Sequence, residues 1–334
     1  MVLFILRKRP DCGDTEHYSY KSSGLFQSAE FVSDMLNCHH INSKVVTVVD
    51  SNGIDKAVVE NGATTVVLEA IWCPPYKLVQ LEKLHPNVKW IVRIHSEIPF
   101  LAHEGMALNW LHQYALIPNV RVATNSKRAL QDIRNLRPVF LPNYYPVPDR
   151  VNRDKFPFSD LRVGCFGAIR PLKNQLTQAL AAIQYADSVG RKLIFYINST
   201  RAEQGGAEVL KNIRALFAGC PRHELFEVPW MERPVFLGLV SLMDVCMNVS
   251  FSETFNIVAA DAVSQRVPVV VSPEISWASN LIQANPNSIC DIVKTLGRAI
   301  RFPIITRLSL RGLREYNEES VEVWTDYFKH EKKH

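Results

Sequence analysis

Nowhere in these 334 residues do two cysteines stand as a C-x-x-C pair, although seven are present. An odd number without a repeating spacing argues against both a disulfide framework and a zinc site. Several lie inside apolar runs, VGCFG around Cys165 and DVCMNVS around Cys246, where cysteine packs as a small core residue. A reducing cytoplasm is the expected compartment. Also missing is any run near the roughly 20 apolar residues of a membrane-spanning helix. The opening VLFIL is too short for a signal peptide, and its basic residues follow rather than precede it. It reads as a buried strand. Charge of one sign does not dominate: 38 basic residues against 33 acidic leave +5. That mild excess fits an anionic ligand and does not by itself mark a nucleic-acid binder. There is no internal repeat, no low-complexity block and no G-x-G-x-x-G, so the common dinucleotide fingerprint is absent.

What is present is alternation. VLFIL, KVVTVVD, TTVVLEA, KWIVRIHS and VRVATNS are short apolar runs separated by polar, Pro- or Gly-containing segments. The first intervening helix, GLFQSAEFVSDMLN, repeats its apolar residues at spacings of three and four. Continuous apolar strands between helices predict a parallel sheet covered on both faces. A proline-rich, aperiodic stretch then interrupts, and the pattern restarts with LRVGCFG, KLIFYIN, ELFEVPW, DVCMNVS and VPVVVS. Helices are expected to start near Lys173, Gln204, Arg233 and Thr254. The reading is two doubly wound, Rossmann-like α/β domains, 1–145 and 161–310, joined by a linker at 146–160. A helix and polar tail follow at 311–334. Two such domains form a cleft, with ligands outside the carboxyl ends of the strands.

Four stretches could carry chemistry there. SSGLFQSAEF holds Gly24 where a strand meets a helix, either as a close approach to an anion or as a plain capped turn. GAIRPLKNQ places Gly167 at a strand end, with Arg170 and Lys173 in the next turn. Two cations at a helix start are unfavourable unless an anion lies there; the competing reading is a solvated basic turn. SFSETFNIVAADAVSQRVPVVVS sets Glu253 at the mouth of a helix capped near Ser252. Asp261 follows eight residues on, nearly on the same face and about 12 Å along the axis. That is too long for two carboxylates sharing one bond and suits an extended ligand, with helix capping by Glu253 as the alternative. RIHSEIPFL offers His95 and Glu97 past a strand end, on the acceptor side of the cleft.

In this order the motifs resemble the GT-B glycosyltransferases, in particular the glycosyltransferase group 1 family of retaining enzymes. SFSETFNIVAADAVSQRVPVVVS is similar to that family's S-x-x-E-(T/G)-F-G…E-A-(M/L)-A-x-G-x-P-V-V, and GAIRPLKN resembles its strand-end glycine loop. The likeness covers most of Val2 to Ser272. It implies a nucleotide-diphosphate sugar, such as a UDP-sugar, as donor, with no further cofactor and no metal. Lys173 and Arg170 would hold the diphosphate beside Gly24 and Gly167. Glu253 with Thr254 and Phe255 would hold the sugar, Asp261 the ribose hydroxyls, and His95 would lie near sugar and acceptor. The donor phosphate would take the acceptor proton while Lys173, Arg170 and backbone amides stabilise the leaving group. Four positions depart from the pattern: Asp261 replaces a glutamate, Ala168 an arginine, Ser23 a glycine and Asn256 a glycine.

The first domain also looks like phage-encoded members, some of which glycosylate hydroxymethylated pyrimidines in DNA. This implies a DNA acceptor met by Lys127, Arg128, Arg134 and Arg137, against a solvated helix face. The remaining alternatives are a nucleotide-sugar epimerase or hydrolase on the same fold and a non-catalytic sugar- or DNA-binding module.

Overall fold

Five of the six residues of VLFILR are buried. A strand shielded on both faces needs helices above and below it and a neighbour on each edge. The computed structural model, which describes residues 1–8, 23–151 and 159–330, supplies both. Strand β1 (Val2–Arg7) lies between β2 (Ser43–Val48) and β3 (Thr65–Glu69) in a six-stranded sheet that continues with β4 (Lys89–Ile94), β5 (Val120–Thr124) and β6 (Val139–Phe140). Every pairing is parallel. Alternate side chains divide between two cores: Leu3 and Ile5 face one, and Val2, Phe4 and Leu6 the other. Helices α1 (Gly24–Cys38), α2 (Gly53–Asn61), α3 (Pro75–Leu84), α4 (Ile98–Leu101), α5 (Ala107–Tyr114) and α6 (Lys127–Asp132) connect the strands. Strand β6 is an addition to the five expected; two residues are too short to show periodicity.

The second sheet has the order β11-β10-β7-β8-β9, again parallel. Its strands are β7 (Leu161–Cys165), β8 (Leu193–Asn198), β9 (Glu224–Val228), β10 (Val245–Asn248) and β11 (Val269–Val271), the five the alternation predicts. Between and after them run α7 (Gln175–Ser188), α8 (Gly206–Ala218), α9 (Arg233–Ser241), α10 (Ile257–Ser264), α11 (Ile289–Arg301) and α12 (Ile304–His330). The strand order reverses between β7 and β10, and in the first sheet between β1 and β3. Doubly wound sheets open a crevice outside the carboxyl ends at such points.

The chain separates into one unit of Met1–Pro146 with the chain from Tyr316 on, and a second of Val147–Glu315. Helix α12 begins ahead of residue 311 and runs through it without a break, and the division falls inside it. Its second half belongs to the first unit for a packing reason. Trp324 and Phe328 complete the core around Phe4, and Trp324 Nε1–H donates to the Pro142 carbonyl at 2.8 Å. Of the expected linker, residues 152–158 lie outside the described residues, as do Cys12, Ser22 and the end of the polar tail. Among the described residues all six cysteines are free thiols, with Cys165 and Cys246 in the core. No helix among the described residues is long and apolar enough to cross a membrane.

Candidate functional site

In the second unit the site grows from two loops at the switch point. Two residues past the end of β7 stands Gly167, whose φ of 108° is open to glycine and strained for other residues. Its N–H donates to Asn198 Oδ1 at the end of β8, 2.8 Å away. A single 3₁₀ turn, Pro171–Lys173, follows, and α7 starts at Gln175, two residues later than expected. The second loop leaves β10 at Val249. The two are tied together: Phe251 N–H donates to the Leu172 carbonyl at 2.9 Å, and Asn174 Nδ2 to the Val249 carbonyl at 3.1 Å. Gln178 Oε1 accepts the Val249 N–H at 2.9 Å.

The two loops bring Lys173 and Glu253 into direct contact, with Lys173 Nζ donating to Glu253 Oε1. The same oxygen accepts from Ser250 Oγ at 3.1 Å and Asn256 Nδ2 at 3.0 Å. Glu253 is 6% exposed. A carboxylate so enclosed keeps its charge only when donors surround it.

The helix expected to start at Thr254 starts at Ile257, and its cap is Asn256, not Ser252. Asn256 takes φ 57°, a left-handed conformation that asparagine tolerates better than other residues with a side chain. Its Oδ1 accepts the Ala259 N–H at 2.9 Å while its Nδ2 holds Glu253. One side chain therefore caps the helix and orients the acid. Ser252 is buried, and its Oγ has no partner among the described residues. Glu253 thus precedes the helix, and only Asp261 lies on it. The shared face and the 12 Å spacing, which assumed one helix for both acids, do not apply. Phe255 is buried against Trp277, whose Nε1–H donates to the Phe255 carbonyl at 2.7 Å, and Thr254 beside it is half-buried.

The cations also differ from expectation. Arg170 pairs with Glu203, which Arg201 contacts as well at 2.6 Å. Burial pushes the Glu203 carboxyl up, but Arg201 and Arg170 outweigh it and hold it at about 2. With Lys173 on Glu253, both cations of GAIRPLKN hold protein carboxylates, so uncompensated charge is no argument for an anion here. Asp261, 2% exposed, pairs at 2.7 Å with Arg233, the first residue of α9. That pair offsets a cation placed against the positive end of a helix dipole. Glu203 was not singled out in the sequence, and Arg233 only as a helix start, which it is.

In the first unit, Gly24 is the first residue of α1, capped by Ser23, whose Oγ accepts the Phe26 N–H at 3.3 Å. His95, just past β4, is 13% exposed at its side chain and hydrogen-bonds through Nε2 to Glu69, the last residue of β3. Asn125 Nδ2 lies 3.4 Å from its Nδ1. Burial lowers the His95 pKa and outweighs the raising effect of Glu69. A neutral ring donating from Nε2 and accepting at Nδ1 satisfies both neighbours. Glu69 is fully buried; burial raises its pKa, and Arg93 with His95 bring it below the usual value. Arg93, equally buried, donates to Glu69 at 3.0 Å, to the Leu141 and Pro142 carbonyls at 2.9 Å each, and to Asn143 Oδ1 at 2.6 Å. Its guanidinium lies 5.3 Å from the Trp324 ring centroid. Glu97 is 1% exposed and contacts Ser126 Oγ and, at 3.2 Å, Arg128. Glu69 and Arg93 were missed, although a charge inside each of two apolar strands, TTVVLEA and KWIVRI, was the available signal.

The chain matches no protein-family model, and no curated protein matches it in sequence. Solved structures do resemble it. The N-terminal domain of trehalose-6-phosphate phosphatase from Candida albicans aligns at a TM-score of 0.70 and 10% identity, over 99% of this chain and 96% of that one. Sucrose-phosphate synthase from Thermosynechococcus elongatus aligns at 0.68 and 13%, over 99% and 98%. HepE of Anabaena, solved in complex with UDP, aligns at 0.61 and 15%, over 97% and 99%. At these identities the likeness is one of fold, and the fold is GT-B.

Proposed function

We propose that this protein is a glycosyltransferase that moves a sugar from a nucleotide-diphosphate sugar to a hydroxyl acceptor with retention of configuration. The observation that carries the reading is the Lys173–Glu253 pair, assembled from two interlocked loops at the switch point of a GT-B sheet. A diphosphate arriving beside β7 would draw Lys173, with Arg170 close by in the chain. Glu253, held by Ser250 and Asn256, would then accept hydrogen bonds from sugar hydroxyls. Asp261, bound to Arg233, is the residue we assign to the ribose, and the backbone at Thr254 and Phe255 lines the sugar. Gly167 lets the chain approach the phosphates. In the first unit we assign Gly24 to a phosphate contact and His95 and Glu97 to the acceptor, on the family resemblance alone. The UDP held by HepE supports a uridine nucleotide as the first donor to try.

For the acceptor, the resemblance to phage enzymes supports a hydroxymethylated pyrimidine in DNA. Of its four expected cations, Lys127 pairs with Glu319 and Arg128 with Glu97, which leaves Arg134 and Arg137 as its support.

A thermal-shift screen of nucleotide sugars tests the donor, because a ligand of the folded state raises Tm. Donor turnover is then followed with and without modified duplex. Glu253→Gln is expected to lower kcat by about 10²–10³-fold, the scale of a lost electrostatic contact at a reacting centre, with Tm kept. Turnover untouched by Glu253→Gln would show the assigned site to be wrong.

A further inference from the structure

Residues 292–314, the body of α11, a short turn and the start of α12, contain six cations and no aspartate or glutamate. The cations are Lys294, Arg298, Arg301, Arg307, Arg311 and Arg314, and all six are exposed. On α11 they stand at 294, 298 and 301, a four- and three-residue spacing that places them on one face. On α12 the residues 304, 307, 308 and 311 form a second exposed stripe, in which arginines alternate with Ile304 and Leu308. The turn between the helices is exposed throughout, and it is apolar. Phe302 is 48% exposed and Ile304 56%, with Pro303 between them. Leu281, 46% exposed, adjoins the first stripe, because its carbonyl accepts from Arg298 at 2.9 Å.

The acids that flank the stretch in sequence do not neutralise it. Glu315 pairs with Arg311 at 2.7 Å, but both side chains are mostly in water, where such a pair is weak. Asp291 is turned to the start of α11, where it accepts the Asn285 N–H at 2.7 Å. Crowding of like charge extends past the stripe: burial, and after it the neighbouring Arg314, lowers the pKa of Arg266.

We propose that this helix–turn–helix of the second unit docks on a bilayer surface carrying anionic lipid headgroups. The cations would meet the headgroups, and Phe302, Pro303, Ile304 and Leu308 would enter the boundary with the acyl chains. A stretch without acids, cationic on its helix faces and apolar at its tip, fits such a surface on both counts. Nucleic-acid phosphates would reward the cations alone and leave the apolar tip in water.

The test is co-sedimentation of the full chain with vesicles of phosphatidylcholine, with and without phosphatidylserine. Two surface variants are used: Arg298→Gln with Arg301→Gln and Arg307→Gln, and Phe302→Ser with Ile304→Ser. Binding is expected on the phosphatidylserine vesicles and not on phosphatidylcholine alone. Removing cations should weaken it by about fivefold each, the effect of one basic residue near an anionic surface. The serine pair should weaken it as well, and leave a remainder that added salt abolishes. No binding to phosphatidylserine vesicles would overturn the proposal. So would binding that neither variant changes, which would place the contact elsewhere on the chain. Binding to a DNA duplex that the arginine variant abolishes, in the absence of vesicle binding, would assign the patch to nucleic acid instead.

Discussion

At the scale of single residues, this protein keeps its buried charges by giving each a named opposite. Arg93 is the extreme case: a guanidinium with no exposure, whose donors are spread over Glu69, two carbonyls and Asn143. Removing it strands Glu69 in the core. Arg93→Leu should cost about 3–5 kcal/mol, read as a lower urea midpoint, the penalty of an uncompensated buried charge. It should also raise the His95 pKa: burial would still lower it, but the further depression by Arg93 would be gone while Glu69 continues to raise it; proton NMR of the ring follows this. A loss of under 1 kcal/mol would mean that water reaches Glu69 once Arg93 is gone.

Glu203 sets a pH dependence. Its carboxyl falls from the usual 4.5 to about 2 on folding, so its contribution is complete above pH 4.5 and is lost as pH falls toward 2. Because its side chain is 22% exposed, solvent screening reduces the effect to about 1–2 kcal/mol. Glu203→Gln should remove that amount at pH 6 and flatten the stability profile between pH 4.5 and 2, as measured by urea unfolding across the range.

At the scale of elements, the Glu253 loop is positioned from behind. Gly312 of α12 sits where a Cβ would stand 2.2 Å from the Trp277 carbonyl. Trp277 in turn donates to Phe255, next but one to Glu253. Gly312→Ala must push helix and segment apart, at a cost of about 1–3 kcal/mol. It should weaken binding of the proposed donor although no residue assigned to the donor is itself substituted. Calorimetric donor affinity checks this, and unchanged affinity with lowered stability would uncouple the two.

Elements were also where the sequence was easiest to read and easiest to misread. Apolar β-branched runs mark ten strands and their parallel class, because burial on both faces leaves an unmixed pattern. Helix starts are misplaced by two or three residues where the loop uses left-handed residues. Asn174 and Asn256, at φ 59° and 57°, each delay a helix that the apolar pattern alone would begin sooner. Lys173 and Glu253 are legible as candidates from their places after β7 and β10. Their contact, and the pairing of Arg170 and Asp261 with Glu203 and Arg233, are not. Such partners are brought together from 28 to 80 positions away along the chain, and no local pattern records them.

At the scale of the whole molecule, the first unit is not continuous in the chain. Its sheet is made from the opening residues, but the surface that covers Phe4, Arg93 and Pro142 comes from Trp324 and its neighbours in α12. Tyr316, Asn317 and Ser320 bond to the same 143–145 segment: the Asn143 N–H reaches Tyr316 at 3.3 Å, and Asn317 donates to Tyr145 at 2.6 Å. A chain ending at Glu315 should retain the second unit, including Lys173 and Glu253. Its first unit should lose several kcal/mol, from bare apolar surface and lost hydrogen bonds. Hydrogen exchange resolved by segment distinguishes the two, with protection lost at β1, β3 and β4 and kept at β7, β8 and β10.

On the ribosome the consequence is one of order. Strand β1 cannot be fully covered until Trp324 and Phe328, about 320 residues further along, have left the exit tunnel. The second unit, whole by Glu315, has every part it needs sooner. For the time it takes to translate the intervening stretch, the older half of the nascent chain waits with Arg93 and Phe4 uncovered, and the younger half is free to fold ahead of it.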